Sequence, residues 1–382
     1  MIYFDNAATT FCTQKVSEAL SHFYRMPHGN PSAVHKLGFE SSQILKRAHE
    51  FFASYFSVKP EQVIFTASGT EANNLALSGI LKKKRNEGRN ILFISPIEHS
   101  SVLKTAEAWG KNGFQIEFLK MNDQGIVDVE DLSKRLNSKV MLVAVMAVNN
   151  ELGTIEPIPE IGKQIKEKDS QILFHVDAVQ AFGKIPIQFK NWDVDLMSLS
   201  SHKIHGPVGA GALIVKEGVV LEPILYGGGQ EQGIRSGTES VGMIHGFHVA
   251  AQEILHHQEA SYGRVKNLKE KFKRGIEAFS CQKRFNTPDQ SSPYILNVSF
   301  VGFPSEVMLR MLEEVGVLTS SGSSCNMKRK RPSSVLSAIG CNEEEQFSAI
   351  RFSFSPYTTE TEIDQALEGL SQVLKRLEKV KV

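Results

Sequence analysis

Between about residue 60 and residue 215 the chain repeats one pattern: a short apolar run, a turn of small or polar residues, then a stretch with the spacing of an amphipathic helix. The apolar runs predict strands at Gln62–Thr66, Asn90–Ser95, Val140–Val148, Gln171–Val176, Val194–Leu199 and Ala210–Val215. Strands that are apolar throughout, and separated by helices, predict a doubly wound α/β domain with a mostly parallel sheet buried on both faces. In such a domain, ligands collect at the carboxyl ends of the strands.

The pattern changes after residue 240. Residues from Val241 to about Ala278 read as helical, and the polar stretch His256–Gly263 marks where the chain leaves the large domain. Strand-like segments follow at Tyr294–Phe300 and Ala349–Phe354, then a last helix from Thr361. Residues 13–256 are therefore expected to form the large domain, and residues 1–12 with 257–382 a smaller α+β domain. The N-terminal dozen residues are expected to return to the site or pack on that small domain. No internal repeat or low-complexity segment is visible.

With 382 residues, 41% apolar and 22% charged, the composition is that of a globular protein large enough for two domains. A net charge of +1 gives no general attraction to nucleic acid or to a membrane surface. The longest apolar run, Val140–Val148, is far shorter than the roughly 20 residues that span a bilayer. The first ten residues lack the basic and apolar regions of a signal peptide, and the four cysteines are too scattered for a disulfide framework. A reducing cytoplasm is the expected location, with no membrane and no nucleic-acid partner.

The candidate chemistry lies at the strand ends. Lys203 follows the apolar run 194–199, and Asp177 ends an earlier run 26 residues before it. This pair suits pyridoxal phosphate (PLP): the lysine amine forms a Schiff base with the cofactor aldehyde, and the carboxylate keeps the pyridine nitrogen protonated. The turn Ser68-Gly69-Thr70-Glu71 opens a helix, so Gly69 and Thr70 are candidates for holding a phosphate on free N–H groups. Such a turn alone is equally an ordinary Ser/Thr cap. Ser200 and His202 offer further donors. His99 follows another strand, where an imidazole can stack on a ring or act as acid and base. Asn150 and Gln180 are candidates for the ring oxygen or the substrate, although turn chemistry also favours Asn.

Arg351 stands in the apolar context Ala349–Phe354, where a buried guanidinium needs an anion. A substrate-carboxylate clamp and a structural salt bridge both satisfy that need. The Gly-rich segment 226–238 ends in Arg235 and Thr238 and permits close backbone approach to a ligand or a second subunit. Cys325 precedes the basic run Lys328-Arg329-Lys330-Arg331, an electropositive setting that lowers a thiol pKa below about 8.5. Cys12, Cys281 and Cys341 have no comparable context. No metal site is expected.

Several segments together resemble the NifS-like cysteine desulfurases of group I, in the class V aminotransferase superfamily. These are Tyr3–Thr10, His28–Ser32, Ser68–Glu71, Glu98-His99, Asn149–Gly153, His175–Asp177 with Gln180, Ser201–Lys203, Arg235–Thr238, Ser320–Cys325 and Ile350–Ser353. The resemblance runs in order from residue 2 to beyond 353. It implies PLP fold type I: a large domain with a mostly parallel seven-stranded sheet between helices, plus a smaller α+β domain carrying the Cys325 loop.

The resemblance also implies roles. PLP would sit on Lys203, stacked by His99, with Asp177 at the pyridine nitrogen and Gln180 and Asn150 near the ring oxygen. Gly69, Thr70, Ser200 and His202 would hold the phosphate, joined by Thr238 from the partner in a homodimer. Arg351 would bind the carboxylate of L-cysteine, with Asn30 nearby. Lys203, once neutral, would remove the α-proton; its pKa must fall well below the usual value of about 10.4. Cys325 would take the sulfur as a persulfide, alanine would leave, and a sulfur-acceptor protein would follow. His99 would protonate or deprotonate the sulfur in transit.

Two features depart from the family pattern. Asn326–Arg331 replaces a small, Ser-rich stretch, and Gln232 stands where an arginine is common. The alternatives are a selenocysteine lyase or other C–S lyase on the same scaffold, or a non-catalytic sulfur carrier or partner-binding subunit. The retention of both Lys203 and Cys325 favours the desulfurase.

Overall fold

The computed structural model describes residues 1–84, 88–322 and 333–380. In chain order its strands are β1 (Ile2–Tyr3), β2 (Val63–Thr66), β3 (Ile91–Ile94), β4 (Gln115–Phe118), β5 (Val140–Met146), β6 (Leu173–Asp177), β7 (Leu196–Ser200), β8 (Gly211–Val215), β9 (Lys283–Phe285), β10 (Ile295–Phe300), β11 (Val317–Leu318) and β12 (Ala349–Ser353). Seven of them form one sheet in the order β2-β8-β7-β6-β5-β3-β4. The pairs from β7 through β4 are parallel, and β8 runs antiparallel to both of its neighbours.

The alternation of side chains along each strand fills both faces of this sheet. Val143 and Val145 of β5, Phe174 and Val176 of β6, and Met197 and Leu199 of β7 enter one core. Leu142 and Ala144, Leu173, and Leu196 enter the other. The first core is closed by Leu45, Ala48, Phe52 and Phe56 of the helix Lys36–Phe56, by Ile161 and Ile165 of Ile158–Lys168, and by Phe247 of Val241–His256. The helices Gly69–Lys84 and Ser100–Gly110 close the second. A fully buried Leu, Val or Phe contributes about 1.5–3 kcal/mol, so the two faces together define the positions of the sheet's buried strands.

The six strands expected from the apolar runs are present, with ends shifted by no more than two residues. The seventh, β4, is a sheet edge of sequence Gln-Ile-Glu-Phe with none of its residues buried. Its mixed polarity leaves no apolar run to read.

A separate core joins Ile2 and Phe4 to Val265, Leu268, Phe272, Val298, Ile350, Phe352 and residues of the last helix, Glu360–Val380. Phe4 meets Phe272 and Phe354 edge-on, with centroids 5.6 and 5.1 Å apart. This core packs on the antiparallel sheet β12-β10-β9, while β1 pairs with β11 in parallel. The region read as one helical stretch from Val241 is two helices, Val241–His256 and Gln258–Glu277, meeting at His257. No helix among the described residues is long and apolar enough to cross a membrane.

Candidate active site

A cavity of about 260 Å³ opens where β5, β6 and β7 end. Asp177 is the last residue of β6, and Ser200 is the last of β7. Lys203 closes the single 3-10 turn Ser201–Lys203 directly after β7. Gly69 and Thr70, the first residues of helix Gly69–Lys84, line the same space, at the end where a helix leaves backbone N–H groups without intrahelical partners.

Lys203 Nζ donates to the backbone carbonyls of Ala7 (2.7 Å) and Ala8 (2.6 Å). The N-terminal segment therefore serves two ends: Ile2 and Phe4 anchor the separate core with Phe272, and the turn after β1 supplies the acceptors for the lysine. Burial pushes the Lys203 amine down to about 8, helped by the Arg351 guanidinium and opposed by Asp5 and Asp177. Burial also lowers His202 to about 4, with Lys203 and Lys184 adding to the effect. Its Nδ1 lies 3.1 Å from the Thr9 hydroxyl.

Asp177 is buried, and its Oδ1 accepts the Val179 N–H at 2.9 Å. Its Oδ2 accepts from the Asn73 amide at 2.7 Å. Gln180 Nε2 donates to the Ala7 carbonyl (2.8 Å), and its Oε1 accepts from Lys184 Nζ (2.7 Å). His99 caps helix Ser100–Gly110, its Nδ1 accepting the Ser101 N–H at 3.2 Å. Burial, then Lys203, lowers its pKa against the pull of Asp177.

Arg351, only 2% exposed, reaches the cavity from β12. One Nη donates to the Asn150 carbonyl and the other to Asp5 Oδ1, both at 2.8 Å, while its Nε is buried without a partner. A salt bridge and a cavity-facing guanidinium thus coexist.

Gly69, Thr70, His99, Asn150, Asp177, Gln180, Ser200, His202, Lys203 and Arg351 all line this one cavity. Thr238 and Asn30, also expected to hold cofactor or substrate, are not among the residues lining it. Thr238 is exposed outside it. Asn30, expected near Arg351, lies exposed in a turn outside this cavity, where its side chain accepts the Ser32 N–H (2.9 Å) and its carbonyl the Ala33 N–H (2.9 Å). Cys325 and the basic run 326–331 lie outside the described residues. Gly322, the last described residue before them, lines the cavity.

The family described as Aminotransferase class-V matches residues 2–366. The chain belongs to this family. Among its class-V relatives, the cysteine desulfurase IscS of Clostridium botulinum strain Kyoto is 36% identical over 378 residues, 98% of this chain and 94% of that protein. A solved NifS-like protein superposes with a TM-score of 0.92 at 33% identity, covering 98% of this chain and 99% of that one. SspA, solved in complex with cysteine, gives a TM-score of 0.82 at 33% identity, covering 94% of this chain and 100% of that one.

Other lining residues carried no signal of their own in the sequence. Ala7 and Ala8 act through backbone carbonyls, which no residue type announces. Asn73 and Ser101 reach the site because helices 69–84 and 100–110 pack side by side. Their positions one turn into the helix and two residues past His99 were the available clues.

Proposed function

We propose that the protein is a PLP-dependent cysteine desulfurase. It removes sulfur from L-cysteine, releases L-alanine and holds the sulfur as a persulfide on Cys325 for an acceptor in iron–sulfur cluster assembly or in thiolation of tRNA or cofactors. The observation that carries this reading is the convergence of Lys203, Asp177 and Arg351 on one cavity in a chain whose full-length relatives are cysteine desulfurases.

The residues fit PLP. The Ser200 hydroxyl is buried without a partner beside the helix N-terminus. Gly69 keeps that corner open, since a Cβ there would lie 2.7 Å from Val179 Cγ2. Gly69, Thr70, Ser200 and His202 would hold the phosphate, Asp177 would face the pyridine nitrogen, and Gln180 and Asn150 would face the ring oxygen. When bound, the cofactor supplies an aldehyde for Lys203 and an electron sink for charge at the substrate α-carbon.

The chain supplies the rest. A lysine lowered to about 8 is in large part neutral at slightly alkaline pH, and only a neutral amine can accept the α-proton. Arg351 orients the substrate by its carboxylate, drawing on the unpartnered Nε and on exchange with its present partners. The Cys325 thiolate attacks the substrate sulfur, the carbon–sulfur bond breaks, and a sulfur–sulfur bond forms. The bonding electrons stay with the alanine carbon, which gains a proton, so no outside oxidant is needed. Exposed Thr238 would complete the phosphate site of a second copy in a homodimer.

Borohydride reduction of protein loaded with PLP, followed by peptide mapping, should place the cofactor on Lys203. The loaded protein should then release alanine from L-cysteine, and Lys203→Ala should abolish that release. Trapped cofactor without alanine would overturn the proposed reaction.

A further inference from the structure

The hydrogen bonds around His99 form a chain in which every proton is accounted for. Asn73 is 1% exposed, and its Nδ2 lies 2.7 Å from Asp177 Oδ2 and 2.8 Å from Ser101 Oγ. An amide nitrogen has two hydrogens, and both are used here. The amide cannot be turned over, because its oxygen would then face the Asp177 carboxylate. Asn73 Oδ1 instead stays buried without a partner. Ser101 Oγ, accepting from Asn73, keeps one lone pair and one hydrogen, and the one acceptor it meets among the described residues is the His99 Nδ1, 2.8 Å away. The Ser101 backbone N–H, which can only donate, also aims at Nδ1 at 3.2 Å.

We propose that Asn73 is a positioning residue that, through Ser101, makes His99 Nδ1 an acceptor and so keeps the His99 proton on Nε2. The imidazole is then neutral and offers an N–H donor from the side of the ring away from Ser101. Protonating Nδ1 would set its N–H against the Ser101 N–H and, with both lone pairs of the Ser101 hydroxyl then taken, would leave that hydroxyl's hydrogen without an acceptor among the described residues. The charged groups acting on His99 are Asp177, which favours the cation, and Lys203, which opposes it. The hydrogen bonds add to Lys203 and to burial in favouring the neutral ring.

This rests on the reading of the cavity as the reaction site only for its consequence: His99 would meet a ligand as a hydrogen-bond donor. The arrangement itself can be tested on the full chain without cofactor or substrate. Nitrogen-15 NMR of histidine-labelled protein, with His99 assigned by the signal lost in His99→Gln, reports the tautomer and the titration midpoint directly. The wild-type spectrum should show a protonated Nε2 and an unprotonated Nδ1.

In Asn73→Ala the Ser101 hydroxyl is free to rotate and accept from Nδ1–H, so the His99 midpoint should rise by about one pH unit, the worth of one hydrogen bond. Ser101→Ala removes the hydroxyl that donates to Nδ1 and should raise the midpoint as well. Ser101→Ala also serves if the Asn73 variant does not fold. A wild-type proton on Nδ1, or the same midpoint in the wild type and a folded variant, would overturn the proposal. Neither outcome depends on whether the cavity accepts PLP.

Discussion

Asp5 Oδ1 accepts a 2.8 Å hydrogen bond from Arg351 Nη2, pairing the turn after the first strand with a guanidinium only 2% exposed. The residue proposed to clamp substrate is thus held by a carboxylate from the far end of the chain. Breaking a buried pair strands the remaining charge, at a cost of 3–5 kcal/mol when both partners are fully buried. Asp5 retains 22% exposure of its side chain, which reduces that cost. Asp5→Asn should therefore lower unfolding free energy by about 2 kcal/mol, read by urea denaturation. An unchanged denaturation midpoint would mean that solvent, not Asp5, balances Arg351.

Gly69 leaves space at the start of its helix. An alanine there would bring Cβ within 2.7 Å of Val179 Cγ2 and 3.3 Å of Ser200 Cβ. Gly69→Ala should weaken PLP binding by about tenfold, the equivalent of a modest overpacking penalty. Fluorescence titration of the apoprotein measures this. Equal affinity would place the phosphate elsewhere.

Lys203 is lowered to about 8, chiefly by burial. A lysine amine is nucleophilic only when neutral, so its reactivity rises through its own pKa. Reductive alkylation of the apoprotein with a small aldehyde, quantified at Lys203 by mass spectrometry, should show a midpoint near 8. A midpoint near the ordinary 10.5 would contradict the electrostatic account.

Lys184 is a second buried amine, 7% exposed and lowered to about 7 by burial, then by Lys203 and Arg351. Its folded pKa is depressed below the unfolded value of 10.5, so between 7 and 10.5 the unfolded chain binds more protons and stability rises with pH. The cost of burying this ammonium is full below pH 7 and fades toward 10.5. Lys184→Met should therefore stabilise the fold more at pH 6.5 than at pH 9.5, although it gives up the 2.7 Å bond to Gln180. Urea unfolding at these two pH values, about half a unit below and 2.5 units above the folded midpoint, tests the sign. A larger gain at the higher pH would refute it.

Much of the site was legible because the sheet is. Asp177 and Lys203 stand where apolar runs stop, and a buried parallel sheet brings such ends to one rim. The edge strand β4 was not legible, since an edge is half solvated and loses its apolar signature. Asn73 and Ser101 were harder still, because their contact spans 28 residues and depends on how two helices pack. Asn30 shows the opposite case: its motif is distinct in sequence, yet its local turn keeps it from the cavity of its own chain.

The central claim is that sulfur passes from L-cysteine to Cys325. Protein loaded with PLP, given L-cysteine without reductant and digested for mass spectrometry, should carry one added sulfur atom on Cys325 and release an equal amount of alanine. Bound PLP with an unmodified Cys325 and no alanine would contradict the account and point to a different amino-acid substrate.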